Sequence, residues 1–80
     1  MKVKEAVVER FNEIMQERKM RPNELANLSG VTASTVYSML DTRRKEVSIN
    51  VIKKLCDGLG ITLGEFFNTQ TFDKLEQEIE

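Results

Sequence analysis

The stretch that decides the fold runs Pro22-Asn23-Glu24-Leu25-Ala26-Asn27-Leu28-Ser29-Gly30-Val31-Thr32-Ala33-Ser34-Thr35-Val36-Tyr37-Ser38-Met39-Leu40-Asp41. Pro22 suits the first position of a helix, where its missing N–H is not needed. Glu24 follows in the first turn, favourable against the helix dipole. Leu25 and Leu28 are the expected apolar contacts. Gly30 tolerates a positive φ and predicts a stop. Thr32 is a good N-cap for a further helix through Leu40, with Val36, Met39 and Leu40 on its apolar side. Two helices crossing steeply at a short turn need a small residue at their closest approach, which is Ala26. The second must bury a branched residue against the first, which is Val36. Leu25, Val31 and Met39 complete the apolar set. Together these spacings predict a helix-turn-helix.

Working outward, helical periodicity covers nearly all of the 80 residues. Val3, Val7, Phe11, Ile14 and Met15 predict a first helix ending near Arg18. Ser48 caps a fourth helix with Val51, Ile52, Leu55, Cys56 and Leu59 inward, and Gly60 ends it. Thr62 and Glu65 form a capping box for a short fifth helix carrying Leu63, Phe66 and Phe67. Phe72, Leu75 and Ile79 then recur at i, i+3 and i+7. The expected architecture is all-α: a compact five-helix bundle over residues 1–67, and a C-terminal amphipathic tail over 68–80. The tail serves either as a fold-back helix or as a dimer contact, with Phe67 adding to the latter.

Several function classes are disfavoured by composition. There is no histidine and one cysteine, so the usual general base, a zinc site and a Cys/His pair are all missing. The four glycines fit no phosphate loop. No catalytic, metal or cofactor constellation is expected. No apolar run is long enough for a membrane span, and a cytoplasmic location is the default. The net charge of −1 is unevenly distributed. Residues 1–17 sum to −1, residues 18–54 to +5, and residues 55–80 to −5. The basic block includes Arg43, Arg44 and Lys45, the densest basic run in the chain, and suits a face presented to a polyanion. The acidic tail is expected to lie away from that face.

The run from Asn23 to Val36 resembles the helix-turn-helix of the Cro and phage-repressor (XRE-type) transcriptional regulators. The likeness continues from Ile52 to Phe67. It implies a double-stranded DNA partner, a homodimer and no cofactor. It further implies that helix 32–40 enters the major groove, with Ala33, Ser34, Tyr37 and Ser38 facing bases. Thr35, Thr42, Arg43, Arg44, Lys45, Ser48 and Asn50 would lie along the DNA backbone. Such contacts fix register and carry salt-dependent affinity. Many members of that family carry a glutamine pair where this chain has Pro22 and Ala33. Bidentate amide readout of adenine is therefore missing there, and Ala33 offers contact with a thymine methyl instead. The other reading is a protein-interaction module on the same fold, antitoxin-like or an anti-regulator, engaging a partner through Phe67 and the tail.

Overall fold

The computed structural model describes residues 1–79. Its helices are α1 (Val3–Glu17), α2 (Pro22–Ser29), α3 (Ala33–Leu40), α4 (Ile49–Leu59), α5 (Leu63–Phe67) and the single turn α6 (Gln70–Asp73), with no strand among the described residues. The domain is all-α, and the predicted helix-turn-helix is α2–α3.

Local chemistry sets the helix boundaries. The Glu5 carboxylate accepts from the Lys2 N–H, and the Glu24 carboxylate accepts from the Arg21 N–H. The expected capping box on α5 is complete: Glu65 N–H donates to Thr62 Oγ1 at 3.0 Å, and Thr62 N–H to Glu65 Oε1 at 3.1 Å. Three helices end in the same paired motif, in which the second residue past the cap reaches back five positions. Val31 N–H donates to the Ala26 carbonyl and Ile61 N–H to the Cys56 carbonyl, with Gly30 and Gly60 at φ of 68° and 73°. At the end of α1, Met20 N–H donates to the Met15 carbonyl, but the left-handed residue is Lys19, at φ 53°. With no glycine there, that motif left little trace in the sequence.

The core is one cluster drawn from α1 to α5. Phe11, Phe66, Leu25, Leu55, Val7, Val36 and Cys56 are its largest fully buried side chains. Phe11 and Phe66 stack at 4.5 Å between centroids, so the first long helix and the fifth close on each other. Near its C-terminal end α4 passes close to the end of α2. A Cβ on Gly58 would stand 2.9 Å from the Ser29 α-carbon and 3.0 Å from the Leu28 carbonyl carbon. Leu28 departs from expectation: it is 56% exposed. Leu25 and Ala26 take the buried face of α2, and Leu28 lies beyond its edge.

The tail also departs from its periodicity. Helix stops at Asp73, with Leu75 half-buried and Ile79 85% exposed. So short a segment gains too few hydrogen bonds to offset helix nucleation. Residues 76–78 instead bond to the start of α1. Glu76 N–H donates to the Met1 carbonyl, and Val3 N–H donates to Glu78 Oε2 at 3.1 Å. Phe72 joins Phe66 and Phe67 in an aromatic cluster, at 5.8 and 4.9 Å.

Candidate nucleic-acid interface

The α3 helix presents its polar side because its apolar side is anchored. Val36 and Met39 are buried, while Tyr37 is 53% exposed and Ser34 is exposed. The cap at its N-terminus is a hydroxyl cluster. Thr32 Oγ1 accepts from the Thr35 N–H and lies 2.9 Å from Thr35 Oγ1 and 3.1 Å from Ser34 Oγ. Both hydroxyls therefore take part in the cap in the free protein. Ala33 is half-buried and packs against the core.

Ser34, Thr35 and Ser38 share one groove of about 290 Å³ with Arg44, Glu46, Val47 and Ser48. The structure thus brings α3 side chains together with the α3–α4 loop and the start of α4. Ser48 Oγ accepts from the Asn50 N–H at 3.1 Å, which leaves Asn50 exposed in the first turn of α4. Thr42, Arg43, Arg44 and Lys45 are all exposed.

The loop cations are not equivalent. Arg43 forks onto Asp41, with Nε to Oδ1 and Nη2 to Oδ2 both at 3.0 Å, and its own N–H donates to Oδ1. Those hydrogen bonds, side chain first and then backbone, hold the Asp41 carboxyl down at about 2. The same pair pushes the Arg43 guanidinium up. Arg43 thus carries a counter-charge within its own loop. Arg44 and Lys45 have no ion-pair partner among the described residues.

Beneath the loop lies a residue that sequence reasoning passed over. Lys4 is buried, and its Nζ donates to the carbonyls of Asp41 at 3.0 Å and Arg44 at 3.1 Å. It ties the C-terminal end of α3 and the loop to α1. Its signal was a cation in the apolar register of α1, three and four positions before Val7 and Val8. Arg18, four positions after Ile14, is a second case: its Nη1 donates to the Leu59 carbonyl at 2.7 Å. Part of the basic block thus serves the fold. Arg10, outside that block, serves the fold in the same way: it donates to the carbonyls of Phe66 and Glu65 and lies over the Phe66 ring.

Cys56 is buried, and burial pushes its thiol up to about 11, so little thiolate forms near neutral pH. Among the described residues no cluster of acidic or sulfur side chains is placed to hold a metal, and no helix is long and apolar enough to cross a membrane.

Comparison with known proteins agrees with this geometry. Residues 10–72 match the sequence model of the Cro/C1-type HTH DNA-binding domain. The fold is similar to the crystal structure of the prophage Lp1 protein 11, with a TM-score of 0.80 and 33% sequence identity over 94% of this chain and 100% of that one. Among curated proteins no relative matches.

Proposed function

The chain belongs to the Cro/C1-type HTH DNA-binding family, and from that premise we propose that it is a sequence-specific regulator of transcription, acting as a repressor. It reads double-stranded DNA with α3 in the major groove, as a homodimer on paired half-sites, without a cofactor and in the cytoplasm. One observation supports this most: Ser34, Thr35 and Ser38 of α3 and the loop cation Arg44 line the same groove, with Tyr37 exposed on the same helix outside it. In this reading Ser34, Tyr37 and Ser38 face bases, and Ala33 meets a thymine methyl at closest approach. Thr35, Thr42, Arg44, Lys45, Ser48 and Asn50 follow the backbone, and Arg43 reaches a phosphate only by sharing its guanidinium with Asp41. Repression follows if the site overlaps a promoter.

Selection of bound duplexes from a random pool, followed by a salt titration, tests the reading. The expected result is an enriched site with two-fold symmetry. Arg44→Ala with Lys45→Ala should lower the slope of log affinity against log salt by about 2. A pool that shows no enrichment at low salt would sink the proposal. Unchanged activity in the double variant would favour the protein-interaction reading.

A further inference from the structure

The acidic tail was expected to avoid the basic face, yet Glu78 lines one cavity of about 560 Å³ with Lys2, Lys4, Thr42, Arg44 and Lys45. Glu5 is the other acidic side chain there, and its carboxylate is engaged by the Lys2 N–H. We propose that residues 75–79 are an internal competitor for the DNA backbone, a carboxylate strap that occupies the approach to Arg44 and Lys45 until a phosphate displaces it. This rests on the DNA-binding reading above.

Three observations carry it. First, beside two backbone bonds (Glu76 N–H to the Met1 carbonyl and Lys2 Nζ to the Gln77 carbonyl), the strap is placed by anion-type contacts. Glu78 Oε2 accepts from the first N–H of α1, as a phosphate oxygen would at a helix N-terminus, and Glu76 pairs with Lys2 at 3.8 Å and with the terminal ammonium at 3.3 Å. Second, little apolar burial holds it: Leu75 is half-buried, and residues 76–79 are exposed. Exposed ion pairs are weak and salt-screened, so the strap releases easily. Third, the cations it faces are the loop charges without a partner of their own, since Arg43 is engaged by Asp41. A tail of net negative charge at that position must be moved aside or screened before a duplex can lie across the loop.

The test is duplex affinity of the full chain and of Glu76→Gln/Glu78→Gln, across salt concentrations. A control, Glu13→Gln/Glu17→Gln, makes the same charge change at the far end of α1. The strap variant should bind at least threefold tighter at low salt and exceed the control. Adding Arg44→Ala and Lys45→Ala should abolish that advantage. Hydrogen exchange at the Val3 amide should quicken when a duplex is added to the unmodified protein, because its acceptor leaves. Equal affinities of strap variant and unmodified protein, a gain matched by the control, or an unmoved Val3 amide would each overturn the strap and leave DNA binding standing. If no chain binds duplex at low salt, both the strap and the DNA-binding reading fall.

Discussion

Lys19 shows what a single residue can hide. A non-glycine side chain in the left-handed region costs about 1 kcal/mol, and Lys19 holds φ 53°. Lys19→Gly should therefore stabilise the protein by about 0.5–1 kcal/mol in urea unfolding, with the backbone bonds of Met20 unchanged. Gly58 is the opposite case. Alanine there gains up to ~1 kcal/mol in helix propensity but meets the Ser29 backbone at 2.9 Å. Gly58→Ala should be net destabilising by about 1–2 kcal/mol, because two helix backbones must part. Ser29→Ala should not rescue it, since the clash with the Ser29 backbone remains. Asp41 is read by titration. Its folded carboxyl is depressed from 3.8 to about 2 by Arg43, so its share of stability is present above the ordinary value and lost as pH falls through about 2. A carbon-detected NMR titration should place the midpoint near 2, and in Arg43→Ala it should climb back toward 3.8. At neutral pH the pair should show no pH dependence.

At the scale of elements, the α3–α4 loop depends on Lys4. Its ammonium supplies donors to two carbonyls that no helix satisfies, and it does so while buried. Lys4→Met keeps most of the stem and removes the donors. The expected loss is about 1–3 kcal/mol, with duplex affinity falling as the loop loosens. Chemical denaturation and a binding isotherm on one preparation would check both; an unchanged isotherm beside lost stability would confine Lys4 to the fold. Helix positions were legible because caps and breakers are local: Pro22, Thr32, Ser48, Thr62, Gly30 and Gly60 each act within a few residues. The tail was less so. The spacing of Phe72, Leu75 and Ile79 is helical, but its outcome is decided by what α1 offers to residues 76–78, which is a non-local fact. The exposed face of α3 was legible in outline for the same reason. Ser34, Tyr37 and Arg44 emerge exposed as the α3 pattern predicts. The pairing of Arg43 with Asp41 and the support from Lys4 depend on loop geometry, which no periodicity encodes.

For the molecule as a whole, the main dependence is on the join between its ends. Phe66 is fully buried against Phe11 and touches Phe67 and Phe72. Phe66→Ala should cost about 3–5 kcal/mol, a large part of the roughly 5–15 kcal/mol typical of a small domain. A thermal melt by circular dichroism should show a strongly lowered or vanished transition. The charge layout is likewise a whole-molecule property: the overall −1 combines an acidic end with a basic middle, and folding brings Glu78 back to the loop. The Phe11–Phe66 contact also has a consequence for biosynthesis. A ribosome adds about 5–20 residues per second, so several seconds pass between the emergence of one ring and the synthesis of the other. For the later part of that interval α2 and α3 have been made but have no closed core behind them. The closed fold thus arrives only once Phe66 has been made, and chains released before Phe66 should be substrates for proteases.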